Sequence, residues 1–326
     1  MDEISKQPPR VDVGDLQEAR NRIRAEIRKI IVGQENMVDL LIAALLADGH
    51  VLIEGVPGVA KTLAARLLAR TLSVAFGRIQ FTPDLMPSDI LGTNVFNQSS
   101  AIFEFNHGPI FANIVLIDEI NRAPAKTQAA LFEVMEERQI TMDGKLYPMD
   151  QPFMVVATQN PVEHEGTYRL PEAQLDRFLF KISVPYPNLD QEKHILREFH
   201  DRGNRNDLNS IQPVLNAAEI LSLKAKVRAI HIEEKLLDYI ATFADQTRNH
   251  PSLYLGASPR ASLALLTAAK AMAALRNRDF VTPEDIQDVI TPTLQHRLLL
   301  TPEKEMEGQT TEVVIRDILQ RLEIPR

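Results

Sequence analysis

The sequence predicts an α/β domain built on a doubly wound parallel sheet, followed by an all-helical domain. Three observations carry this reading. Short, wholly apolar runs are separated by helical stretches through the first half of the chain, the pattern of parallel strands covered by helices on both faces. A glycine-rich turn directly follows the first of these runs and leads into a helix. After Pro185-Tyr186-Pro187-Asn188 the strand-like runs vanish and helical spacing takes over. A length of 326 residues agrees with two domains at ~150 residues each. The boundary is placed at Pro187, giving an α/β domain over 1–187 and a helical domain over 188–326.

The elements follow in order. The first ten residues, with two prolines and several polar groups, read as a frayed arm. Val11 to Ile30 has helical spacing and is expected to be a lead-in helix, and Val38 to Leu46 is an apolar-rich helical run ending at Asp48-Gly49. Val51-Leu52-Ile53 is then a short buried strand, Ala64 to Leu72 a helix, and Arg78 to Phe81, Ile114 to Ile117 and Val155 to Ala157 further strands. In such a sheet ligands belong at the carboxyl ends of the strands. Two segments depart from β-α alternation. In Gln139 to Met149 the pair Asp143-Gly144 takes the positive φ angles of a type I′ turn at little cost, so this segment is expected to be a β-hairpin. Thr93 to Asn106, with Asn97 to Ser100 between two apolar pieces, is either a second hairpin or a long loop. Beyond residue 187, Gln191 to Phe199, Ala217 to Ile230, Glu233 to Arg248 and Arg260 to Arg276 read as helices, and Asp201 to Ser210 as a surface loop.

Composition bounds the function. The chain has 44 acidic and 36 basic residues, a formal charge of -8, with 25% charged and 44% hydrophobic residues, as in a soluble, mildly acidic globular protein. The absence of cysteine excludes a disulfide framework, a thiolate nucleophile, a cysteine-type zinc site and cysteine-held iron–sulfur clusters. No apolar run reaches the ~18 to 20 residues of a membrane span, and the amino terminus lacks a signal-peptide core. The expectation is a cytoplasmic protein without membrane insertion. Acidic balance and the lack of a Lys/Arg run make nucleic acid a minority partner. His164-Glu165 lacks the second histidine of a metal-hydrolase HExxH motif, and no GxSxG esterase motif occurs.

The chemistry concentrates at strand ends. Gly55, Val56, Pro57, Gly58, Val59, Ala60, Lys61 and Thr62 follow the Val51 to Ile53 strand, and Leu63 continues into a helix. Backbone N–H groups at a helix amino terminus present partial positive charge, glycines let that backbone close around phosphate, and Lys61 adds a full charge. Thr62 offers a hydroxyl to Mg²⁺. The usual pattern has glycine where Ala60 stands. A left-handed backbone there would cost roughly 1 kcal/mol, whereas ordinary helix-entry φ accepts alanine freely. The Ile114 to Ile117 strand ends in Asp118-Glu119, which places two carboxylates beside the expected phosphates. Asp118 suits Mg²⁺ and Glu119 the attacking water. Val155-Val156-Ala157-Thr158-Gln159 ends at Asn160-Pro161. That pair is either an ordinary Asn-Pro turn or a neutral polar group holding the attacking water.

The ordered segments Ile31 to Gln34 (IVGQ), GVPGVAKT, Leu116 to Pro124 (LIDEINRAP), Ala157 to Pro161 (ATQNP) and Leu170 to Phe178 (LPEAQLDRF) together resemble a MoxR-type AAA+ ATPase. The resemblance runs from about Ile31 to Pro187 and more loosely through Gly256 to Ala261 (GASPRA). It implies an AAA+ P-loop ATPase that uses ATP and Mg²⁺, with Walker A at 55–62 and Walker B at 114–119. It further implies a ring, usually a hexamer, with nucleotide between the α/β domain and a helical lid. In its terms Arg177 is similar to an arginine finger reaching a neighbour's γ-phosphate and Arg260 to a sensor-2 arginine, acting in its own subunit or the next. A guanidinium offers the fork of donors that spread γ-phosphate charge requires. Ile31, Val32, Gly33 and Gln34 would contact adenine through their backbone. Both hairpins would face the ring pore. Arg122 is assigned no role.

The function this implies is chaperone-like remodelling or maturation of protein complexes, acting on protein clients and with a separate von Willebrand A domain protein as a possible partner. The alternative is an AAA+ nucleic-acid motor. The hairpin segments argue against it, because Thr93 to Asn106 contains no Lys or Arg and Gln139 to Met149 contains one lysine.

Overall fold

Strands that are apolar without alternation must be covered on both faces, and they form here a five-stranded, fully parallel sheet. The computed structural model describes residues 10–161, 168, 170–203, 205 and 207–325. The amino-terminal arm up to residue 9 and His164-Glu165 lie outside the described residues. In chain order the elements are α1 (Gly14–Arg28), α2 (Glu35–Leu46), β1 (His50–Gly55), α3 (Lys61–Thr71), β2 (Leu72–Ser73), β3 (Phe76–Gln80) and α4 (Pro87–Leu91). Then come β4 (Gly92–Asn97), β5 (Ile102–His107), β6 (Ile114–Asp118), α5 (Ala125–Glu137), β7 (Gln139–Met142), β8 (Lys145–Pro148), β9 (Met154–Gln159), α6 (Glu172–Leu175), β10 (Phe178–Val184) and α7 (Leu189–Asp201).

The strand order is β10-β1-β9-β6-β3. On one face Leu52, Val115, Ile117, Val155, Ala157 and Phe178 join Leu131, Phe132, Val134 and Met135 of α5 in one buried cluster. On the other face α3 lies against β1, β6 and β9. Because all five strands run the same way, the ends of β1, β3, β6 and β9 meet along one edge. Register brings Glu54 opposite Gln159 and Gln80 opposite Asp118. Gly55 closes β1 where a Cβ would lie 2.7 Å from the Val184 carbonyl oxygen, so a side chain there would push β1 off β10.

Both departures from β-α alternation are hairpins. Asp143 and Gly144 have φ of 49° and 75° between β7 and β8, the geometry the Asp-Gly pair favours. β4 pairs antiparallel with β5 over its whole length, settling that segment as a hairpin. The two are tied sideways. The Phe105 and Tyr147 rings lie 4.4 Å apart, His107 meets Tyr147 edge-on at 6.0 Å, and Asn94 bonds the turn residue Asp143.

The chain divides into two compact units, one Asn21–Leu221, the other Ser222–Arg326 together with the start of the chain up to Arg20. The sequence-based boundary at residue 187 and this division differ because α7 is fastened within the first unit. Arg202 donates to the carbonyls of Lys29 and Ile30 at 2.9 and 3.1 Å, and Gln191 packs against Gly33, whose φ is +78°.

The remaining elements are β11 (Leu215–Asn216), α8 (Ala217–Arg228), α9 (Glu234–Arg248), β12 (Leu253–Leu255), α10 (Pro259–Leu275), α11 (Pro283–Leu294), β13 (Leu299–Leu300), α12 (Pro302–Met306) and α13 (Thr311–Arg321). In the second unit α10 packs on α9 and α11 through small residues such as Ala261, Ala268 and Ala271, all fully buried. The expectation that strands vanish after residue 187 needs correction. β11 pairs with β2 and β12 with β13, but these pieces are two or three residues long, too short to leave a period-two pattern. Among the described residues no helix is long and apolar enough to cross a membrane.

Candidate active site

Three strand ends and one loop enclose a cavity of about 430 Å³, lined by Gly58, Ala60, Lys61 and Thr62 of the loop, by Arg78 and Gln80 from β3, by Asp118 and Glu119 at the end of β6, and by Thr158, Gln159 and Asn160 from the end of β9. Gly58 has φ +91° and nothing within 4 Å of where a Cβ would stand, so its backbone faces open space. Ala60 has φ 64° and ψ 21°, the left-handed choice of the two that the sequence left open, at a cost of roughly 1 kcal/mol. No side chain caps α3, so the first-turn N–H groups beside the cavity have no side-chain acceptor at the cap.

Lys61 bends back over the loop. Its Nζ donates to the carbonyls of Gly55 and of Gln159, the latter at 3.1 Å. Burial pushes its ammonium below the usual lysine range, while Glu119, Glu54 and Asp118 pull it part of the way back. Asp118 is nearly buried and heavily bonded. Its Oδ1 accepts from the Thr62 hydroxyl at 2.8 Å and lies 3.3 Å from Thr158 Oγ1, and its Oδ2 accepts from Arg78 Nε at 2.8 Å. Thr158 also accepts the Glu119 backbone N–H at 3.1 Å, which aligns the carboxylate pair. Glu119 itself is left-handed, with φ 57° and ψ 54°, and its carboxylate pairs with Arg122.

A second cavity of about 220 Å³ is lined by Ile30, Ile31, Val32 and Gln34, by Val59 and Leu63, and by Pro187, Ile195, Phe199 and Arg202. It shares Gly58, Ala60 and Leu63 with the first. The pair therefore offers an apolar slot for a flat ring on one side of the loop and a cationic, hydroxyl- and carboxylate-lined space on the other.

The expected residues Ile31, Val32, Gln34, Gly58 to Leu63, Asp118, Glu119 and Asn160 are thus brought around one loop, with Gly33 forming the turn beside them. Arg177 and Arg260 are not among the lining residues. Arg177 follows α6 and donates from Nη1 to the Phe132 carbonyl at 2.6 Å, with its Nε buried and without a partner. Arg260 sits exposed in the first turn of α10, in the other unit. Sequence reasoning missed Arg78, Gln80, Thr158, Ile195, Phe199 and Arg202. Arg78 and Gln80 alternate on the strand next to β6, and Ile195 and Phe199 are four apart on α7, so both pairs had a periodic signal.

Residues 50–180 match the model of the "ATPase family associated with various cellular activities (AAA)", and residues 245–318 match an AAA lid domain. The chain is 45% identical to the uncharacterized protein YeaC of Bacillus subtilis, over 95% of this chain and 96% of that protein. It is 44% identical to Chaperone MoxR1 of Mycobacterium tuberculosis, over 92% of this chain and 81% of that one. With Protein MoxR of Methylorubrum extorquens the identity is 30%, over 95% and 96% of the two chains. The crystal structure of a candidate ATPase from Cytophaga hutchinsonii superposes with a TM-score of 0.86 at 42% identity, covering 95% of this chain and 97% of that one. With this much sequence shared over nearly its whole length, the chain belongs to the MoxR-type family of AAA+ ATPases.

Proposed function

We propose that the chain couples hydrolysis of Mg-ATP to chaperone-like remodelling of protein clients, working as a cytoplasmic ring, a hexamer in this reading. The loop N–H groups and Lys61 hold the triphosphate, and the apolar slot with the backbone of Ile31 to Gln34 holds adenine. A hydroxyl and a carboxylate 2.8 Å apart, Thr62 and Asp118, are the hard oxygen donors that Mg²⁺ prefers, so these two residues fit the ion and would hold it. When bound, Mg²⁺ would supply neutralising charge to the phosphates. Glu119 takes the proton of, or orients, the attacking water, and Asn160 holds that water without competing for the cation. Arg177 answers the γ-phosphate charge of a neighbouring subunit, and Arg260 serves as the sensor arginine. A separate von Willebrand A domain protein is the partner in this reading.

The observation that carries remodelling rather than bare hydrolysis is the pair of tied hairpins, which leave Phe96, Ile102, Phe103 and Leu146 exposed. Exposed apolar side chains on a rigid support suit transient grip on a protein segment. The name of Chaperone MoxR1 supports the same reading. The test uses Glu119→Gln, which holds ATP without consuming it. Protein retained by Glu119→Gln with ATP, released without ATP, and lost on adding Phe96→Ser and Phe103→Ser is the expected result. Retention that ignores both ATP and the hairpin changes would overturn the reading.

A further inference from the structure

Asp118 has a resident cation of its own. Arg78 stands on β3, the edge strand, opposite Leu116 in the parallel register, while Gln80 stands opposite Asp118. From that position a long side chain runs along the strand toward the carboxyl edge and meets Asp118 two residues further on. Both Nε and Nη2 of Arg78 lie 2.8 Å from the same oxygen, Oδ2. The other oxygen is occupied by Thr62 and Thr158. Each carboxylate oxygen has about two acceptor positions, so the guanidinium fork saturates Oδ2. The carboxylate is 6% exposed, whereas the Arg78 side chain is 49% exposed. That asymmetry matters, because a half-exposed guanidinium can leave its partner and be hydrated, while the carboxylate cannot follow it.

We infer that Arg78 is a positioning residue that competes with a divalent cation for Asp118 and thereby sets how much metal the site requires. The inference rests on the reading that Mg-ATP binds here. Its two consequences have opposite signs. Where metal is scarce, Arg78 cancels the charge of Asp118 and spares the triphosphate a bare carboxylate in the same cavity. Where metal is plentiful, Arg78 must yield Oδ2, and its presence raises the concentration of metal needed. A contact made directly with phosphate would help binding under both conditions.

The test measures equilibrium binding of a fluorescent ATP analogue to the full chain, in EDTA and across a series of free Mg²⁺ concentrations, for wild type, Arg78→Gln and Arg78→Lys. For Arg78→Gln, affinity in EDTA should fall about tenfold, and the Mg²⁺ midpoint should move several-fold lower, the scale of one lost charge pair near a surface. Arg78→Lys, which keeps the charge but loses the fork, should fall between. Losses of equal size in EDTA and in Mg²⁺ would overturn the inference in favour of a phosphate contact, and no change in either would reduce the pair to a surface ion pair. If Arg78→Gln fails to fold, Arg78→Lys decides alone by the direction in which its Mg²⁺ midpoint moves. Wild-type protein that binds no analogue under any condition would instead sink the Mg-ATP reading, so the two failures are distinguishable.

Discussion

Ala60 and Glu119 both hold left-handed backbone on the rim of the same cavity, with φ of 64° and 57°. Strain of this kind, of order 1–3 kcal/mol per residue, persists only where the surroundings impose it, and it gathers at functional sites. Replacing Ala60 by glycine removes the Cβ penalty. Ala60→Gly should raise stability by about 1 kcal/mol, a shift of roughly 2–4 °C in thermal midpoint for a chain of this size, with ATP affinity little changed. A lower midpoint would show that the Cβ is not the source of the strain. Lys61 gives a pH prediction. Its folded-state value lies below the ordinary lysine value of 10.5 because burial disfavours the ammonium. The unfolded chain therefore holds more protons between those two values, and stability should rise with pH across that window. Phosphate favours the charged form, so ATP affinity should fall as pH climbs through the lowered value, with one proton taken up on binding. Calorimetric titrations in buffers of differing ionisation enthalpy measure this, and an affinity that stays flat up to 10.5 would contradict it.

Elements explain why part of the site was legible and part was not. Lys61 and Thr62 could be read because a glycine loop carries them straight from the end of β1 into α3, and Asp118 and Glu119 because they close the apolar β6, so chain order alone puts them at one edge. Alternation puts Arg78 and Gln80 on one face, but which strand Arg78 meets, like the partner of Thr158, is set by register between strands remote in sequence, which no local pattern announces. Ile195 and Phe199 reach the apolar slot only because Arg202 and Gln191 fasten α7 back onto residues 29–33. The hairpins show the same limit. Asp143-Gly144 identified β7–β8, but β4–β5 turns through a polar stretch with no single turn signal, and its partnership with β7–β8 through Phe105, Tyr147 and Asn94 is tertiary. Between Gly92 and His107 there is no Lys or Arg, while Phe96 and Phe103 pair across the strands at 5.2 Å and remain exposed. This surface cannot release many phosphate counterions. Duplex DNA should bind weakly, with a shallow dependence on salt. Tight binding at physiological salt with a steep slope would revive the nucleic-acid motor.

At the scale of the whole molecule, every cavity-lining residue around the glycine loop lies within one compact unit, yet Arg177 is not among them. In the proposed reading this arginine, absent from its own chain's cavity, serves a neighbour's, and hydrolysis would then be a property of the assembly. Turnover per subunit should rise with protein concentration until rings form. Arg177→Ala should lose about 10³ to 10⁵ in rate while keeping its ATP affinity. Full turnover in a dilute, demonstrably monomeric sample would contradict this. The claim beneath all the others is the division of labour at the loop, in which Lys61 holds charge and Glu119 handles water. ATP binding and single-turnover hydrolysis, measured side by side on Lys61→Ala and Glu119→Gln, test it most directly. Lys61→Ala should lose binding, and Glu119→Gln should bind as the wild type does and fail to hydrolyse. Equal loss of binding in the two variants, or unimpaired hydrolysis by Glu119→Gln, would contradict the account.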